Sequence, residues 1–135
     1  MATRSRIGIQ LPQGQIVSVY SHWDGYPEHN GKILKAKYTT IDSVTELIDG
    51  GDISSLETKT TWESTYTDGS YTNTREEQPL YYFERGENDV EPQLSKNLKQ
   101  FFKLTKDCGG EYSYLYRNGT WLCFNDKNKL VDIPE

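Results

Sequence analysis

Apolar and polar positions change period several times along the chain, and each change marks an element. "RIGIQL" at 6–11 and "QIVSVYSH" at 15–22 are short alternating or β-branched runs, the period-two pattern of half-buried strands. The "PQGQ" between them is turn-rich, so residues 6–11 and 15–21 read as an antiparallel hairpin. After "HWDGYPE" the period lengthens. Ile33, Leu34 and Tyr38 fall at helical spacing with Lys32, Lys35 and Lys37 on the remaining surface, which predicts a short amphipathic helix. Ile41, Val44, Leu47 and Ile48 predict a second helix, with Thr40 as its N-cap and Gly50 and Gly51 as its stop. "DISSLE" then reads as a capping turn that buries Ile53 and Leu56.

From 57 to 78 the Thr- and Tyr-rich run with "DG" at 68–69 suits a polar hairpin or a flexible excursion. "PLYYFERGEND" follows as a strand closing in a charged turn. "EPQLSKNLKQFFKLTKDCGG" is the strongest helical signal: Leu94, Leu98, Phe101, Phe102 and Thr105 form one stripe, and Lys96, Lys99, Lys103 and Lys106 lie largely off it. "EYSYLYRNGTWLCFN" predicts two strands joined by Asn118 and Gly119, residues that tolerate the positive φ of a type I′ turn. The order is ββ, αα, ββ or loop, β, α, ββ. It predicts an α+β fold, an antiparallel sheet of about five to seven strands with three helices mainly on one face. The 135 residues fit one domain, with 57–80 as a hairpin insertion or excursion and 126–135 as a peripheral tail.

Only 34% of residues are hydrophobic, but ten Tyr, four Phe and three Trp enlarge the area available for burial. The net charge of −5 is unevenly spread: residues 41–93 hold thirteen acids against three bases, and residues 94–135 hold seven bases against five acids. An acidic middle argues against non-specific nucleic-acid binding. The N-terminal segment lacks the apolar core of a signal peptide, and no window approaches the length of a membrane span, so a cytoplasmic protein with reduced Cys108 and Cys123 is expected. No cofactor or metal is expected from the cysteine and histidine spacing.

Two stretches carry candidate chemistry. In "YSHWDGYPEHNGK" (20–32), His22, Asp24, Glu28 and His29 lie close in sequence. Three readings stand side by side: a strand-to-helix turn with a local hydrogen-bond network, a ligand-gripping loop, or an acid–base or metal site. In "FERGEND", Arg85 beside Glu84, Gly86 and Glu87 suits either a salt-bridged turn or a contact to an anionic group. Nucleophile motifs and phosphate loops are absent. Trp23, Tyr26, Trp62, Tyr66, Tyr71, Tyr81, Tyr82 and Trp121 exceed what a small core encloses, so some are expected at the sheet edges or against a partner.

"VYSHWDGYPEHNGKILKAKYTTIDSVTELIDGGDISSL", "ERGE" and "GGEYSYLYRNGTWLCF" together resemble a family of small uncharacterised proteins of tailed phages and prophage-bearing bacteria. The resemblance spans residues 15–56, 84–87 and 109–124. It implies a phage accessory protein without a defined mechanism. The recurring positions it carries over are His22, Trp23, Asp24, Gly25, Tyr26, Pro27 and Glu28, then Gly51, Asp52, Ser54 and Ser55, then Arg85, Gly86 and Glu87.

The leading expectation is a non-enzymatic accessory protein that binds a host protein or sequesters a small, anionic, nucleotide-like ligand. In the ligand version, Trp23 and Tyr26 stack on a base, Arg85 meets phosphate, and Asp24 or Glu28 accepts ribose or base donors. The alternatives are a small hydrolase using His22 with Asp24 or Glu28, and a virion or assembly protein.

Overall fold

The computed structural model describes residues 3–23, 25–56, 64–67, 70–73, 80–81 and 90–133. β1 (Ser5–Gln10) and β2 (Ile16–Ser21) form the expected hairpin, with Ser5 opposite Ser21 and Gln10 opposite Ile16. A π-helical turn (Pro27–Gly31) runs directly into α1 (Lys32–Lys37). Next comes α2 (Ile41–Asp49), entered through a capping box in which Thr40 Oγ1 accepts the Ser43 N–H and Ser43 Oγ accepts the Thr40 N–H, each at 3.1 Å.

"DISSLE" is more than a turn: β3 (Ile53–Ser55) joins the sheet, and Ile53 and Leu56 are buried as expected. β4 (Ser64–Thr67) and β5 (Ser70–Asn73) pair antiparallel as a separate two-stranded hairpin, and β6 (Leu80–Tyr81) pairs with β3. β7 (Gln93–Ser95) lies along β2 where the helical stripe had extended to Leu94. The helix α3 starts only at Leu98 and ends at Asp107, because Asn97 in extended backbone accepts the Gln100 N–H on its side chain and fixes the first turn there. Leu94 is therefore 59% exposed, outside the core.

β8 (Tyr112–Arg117) and β9 (Thr120–Phe124) turn at Asn118 and Gly119, with φ of +52° and +78°. β10 (Leu130–Val131) adds to the outer edge of β9.

Among the described residues, eight strands make one sheet in the order β10, β9, β8, β1, β2, β3, β6, with β7 also on β2. Most pairings are antiparallel, but β1–β8 and β2–β3 are parallel, which the hairpin reading did not contain. Alternation along a strand records which face is buried, and it carries no information about the direction of a distant neighbour.

The two faces are covered differently. Ile7, Ile9, Val19, Tyr114, Tyr116 and Cys123 face Leu34 of α1 and Val44, Leu47 and Ile48 of α2 in the larger core. On the other face Phe101 of α3 packs with Ile16 and Leu115 in a smaller one. The helices thus lie mainly on one face, with α3 alone across the sheet. Gly8 permits that approach, since a Cβ there would stand 2.9 Å from Ile16 Cγ2 and 3.1 Å from Phe101 Cε1. Among the described residues no helix is long and apolar enough to cross a membrane.

Candidate functional site

The stretch 20–32 is held from beneath by a buried polar network. Tyr114 Oη donates to Gly25 O at 2.5 Å, and the Gly25 N–H donates to Thr3 O at 2.8 Å. Asn30, fully buried, donates from Nδ2 to Ser21 Oγ at 3.2 Å and to Trp23 O at 3.4 Å. Its Oδ1 is then left to accept from His29 Nδ1 at 2.9 Å, which fixes a proton on that nitrogen. Burial, reinforced by Cys123, pushes the Tyr114 phenol far up, so it remains a hydrogen-bond donor. At Gly25 a Cβ would fall 2.7 Å from Ser5 Cβ and 2.8 Å from Thr3 O, so glycine is required for the close approach. Pro27, Asn30 and Gly31 are buried within this strand-to-helix junction.

What the junction leaves outside is the side chain of Trp23, 45% exposed. Its ring meets the His22 imidazole edge-on, with centroids 4.7 Å apart at 87°. His22 Nδ1 is 2.5 Å from Tyr20 Oη, and the His22 backbone N–H donates to Ile53 O at 3.0 Å. Partial burial, and then the positive charge of Arg4, hold the imidazole below its ordinary pKa. The site therefore presents a neutral ring and an indole beside a cation.

Arg4, just before β1, and Arg6, within it, are two residues apart and share the sheet face that carries α3. Arg6 is only 3% exposed, donating from Nε to Ser18 Oγ at 2.7 Å and from Nη2 to Ser18 O at 3.3 Å. Burial lowers its pKa, and its interactions with Cys108 and Asp52 oppose that shift. Burial raises the Cys108 thiol, only partly offset by Arg6, which disfavours the nucleophilic thiolate. Asp52 is half-buried and raised by that burial, while the hydrogen bond from the Tyr20 N–H and the charge of Arg6 pull it back.

Among the described residues, two of the sequence motifs come together. "HWDGYPE" and "GDISSL" meet through the His22 N–H bond to Ile53 O and the Tyr20 N–H bond to Asp52 Oδ1. Ser54 and Ser55 lie in β3, and their side chains are outside the described residues, as are Asp24, Arg85 and Glu87. Tyr26 is half-buried with its ring 6.0 Å from that of His29.

Glu28 is exposed, and its charge bears on Tyr112, Tyr114 and Cys123. Tyr114 and Cys123 lie on the α1 and α2 face, whereas His22 shares with Tyr20 the face of Arg6 and Ser18. The partner of the His22 imidazole is Tyr20 Oη, and among the described residues Glu28 makes no hydrogen bond or ion pair with it. Among the described residues no group of three His, Cys, Asp or Glu side chains is arranged to hold a metal ion.

Sequence reasoning missed Arg4, Arg6, Tyr20 and Cys108. One signal was available: "RSR" at 4–6 places both arginines on one strand face. Compared with protein-family models, with curated proteins and with solved structures, the chain matches none.

Proposed function

We propose that the protein is a non-enzymatic phage accessory protein that binds a host protein through Trp23 and His22. The observation that carries this reading is the exposure of Trp23 above a rigid, hydrogen-bonded base. A large aromatic held in place loses little conformational freedom on binding, and tryptophan is among the residues that dominate interface energetics. Arg4 beside His22 adds a positive rim, suited to an acidic neighbourhood on the partner.

The test is affinity capture from host lysate with wild-type protein and with Trp23→Ala, analysed by mass spectrometry. A host protein retained by the wild type and lost with Trp23→Ala supports the reading. Identical retention by both sinks it.

A further inference from the structure

We propose a second site, independent of the Trp23 surface: the groove along α3 binds the phosphate backbone of a short single-stranded nucleic acid. The groove has a volume of about 500 Å³ between α3 and the turn at 125–129, and Phe102 lines it together with Lys99, Lys103 and Lys106. These lysines follow one another over about 10 Å of helix at 1.5 Å per residue. Among the described residues none of the three ammonium groups is in a salt bridge. The opposite wall contributes one carboxylate, Asp126, on a turn that also carries Lys127 and Lys129.

The amides sharpen the match. Asn97 Oδ1 accepts the Gln100 N–H, Gln100 Oε1 accepts the Lys96 N–H, and Asn125 Oδ1 accepts the N–H groups of Lys127 and Lys129. Each side-chain oxygen is committed to a backbone donor, so what each amide has left to offer a ligand is its NH₂. All three residues line the groove. The walls are thus rich in donors, complementary to a chain of phosphate oxygens, and Phe102 supplies a ring for a base. The net charge of −5 does not oppose this, because the acidic excess lies in residues 41–93 and the groove is built from the basic segment that follows.

The experiment is fluorescence anisotropy of a labelled oligothymidylate of about 12 nucleotides, a length within the range of single-strand binding sites. Three lysine contacts, each worth about 0.7 in the logarithmic salt slope, predict an affinity loss of roughly 20-fold between about 50 and about 200 mM salt. Lys99→Gln, Lys103→Gln and Lys106→Gln together should abolish that dependence and most binding, with an unchanged circular dichroism spectrum. Phe102→Leu, which keeps the position apolar and removes the ring, should weaken binding at least about fivefold. Lys32→Gln, on α1 across the sheet, should leave it unchanged. Thymidine monophosphate should compete at least about 10-fold more weakly than the oligonucleotide, having a single phosphate to offer. The proposal is overturned by no binding at low salt, by a triple variant that binds like the wild type, by equal loss in Lys32→Gln, or by a mononucleotide that competes as well as the polymer.

Discussion

Asp52 Oδ1 accepts the backbone N–H of Tyr20 at 2.9 Å, at the point where β2 passes from one neighbour to another. β7 accompanies Ile16–Ser18 and β3 begins at Ser21, so the Asp52 carboxylate bonds β2 in the stretch between these two neighbours. Gly51 (φ +86°) and the Asp52 N–H bond to Val90 O at 2.7 Å hold the carboxylate in the gap. Removing the acceptor from a partly buried N–H costs about 1–3 kcal/mol. Asp52→Ala is therefore expected to lower the urea unfolding free energy by that amount, and Asp52→Asn, which keeps the oxygen, by less. Equal losses in the two variants would refute the role given to the oxygen.

Trp23→Ala should separate binding from folding. The side chain is exposed and its backbone oxygen, which Asn30 holds, survives the substitution. Stability should change by no more than about 0.5 kcal/mol, measured by urea denaturation, while partner retention is lost.

The depressed pKa of His22 gives stability a definite pH dependence. An imidazole held below 6.5 binds its proton less readily in the folded chain than in the unfolded one. As pH falls through 6.5 the unfolded chain is protonated first, so a contribution that is complete above that pH is lost below it. Asp52 acts in the opposite sense at lower pH, because a carboxyl raised above 3.8 takes up its proton first in the folded state. Urea midpoints for wild type should therefore fall between pH 7.5 and pH 5.5, about one unit either side of the ordinary histidine pKa. His22→Gln should show a shallower fall over the same interval, and an equal slope would remove His22 as its cause.

Both thiols should resist modification in the folded protein. Cys123 is fully buried and pushed up to about 12, by burial above all, and Cys108 is half-buried and raised. At about pH 8 a chromogenic thiol reagent should react with neither at the rate of a free cysteine, and with both in denaturant. Rapid native labelling at Cys123 would contradict the packing around Tyr114.

Gly8→Ala tests the seat of α3. The added methyl meets Ile16 and Phe101 at distances that require one of them to move. Overpacking of this kind costs about 1–3 kcal/mol, readable as a lowered thermal midpoint. An unchanged midpoint would mean that the smaller core is looser than its burial indicates.

Local signals were legible in the sequence. Thr40 capped α2, Asn118 and Gly119 supplied positive φ, and the β1–β2 hairpin followed from its alternation. The misreadings arose where distant contacts outweighed local pattern. Leu94 matched a helical stripe, yet β2 offered it a strand partner and Asn97 blocked the helix from extending back.

The site shows the same division. "HWDGYPE" was readable as a strand-to-helix junction because Pro27 sits at the helix entrance, although the need for Gly25 comes from the distant Thr3 and Ser5. The meeting of Tyr20 with Asp52 was not, since nothing at either position announces a gap between β7 and β3. Arg6 had no reason to be read as buried, for a strand arginine ordinarily faces water. It is enclosed beside Ser18, within reach of Cys108 and the Asp52 carboxylate, residues far away along the chain.

The parallel pairing of β1 with β8 joins residue 5 to residue 112. During synthesis β1 and β2 can close soon after both are made, but the other edge of β1 stays open until β8, about a hundred residues further along, has followed. Contacts so distant in sequence slow folding, and an unpaired strand edge is a template for wrong partners. The centre of this sheet is thus closed later than the hairpin beside it, so the nascent chain depends on protection along that edge while the residues between β2 and β8 are made.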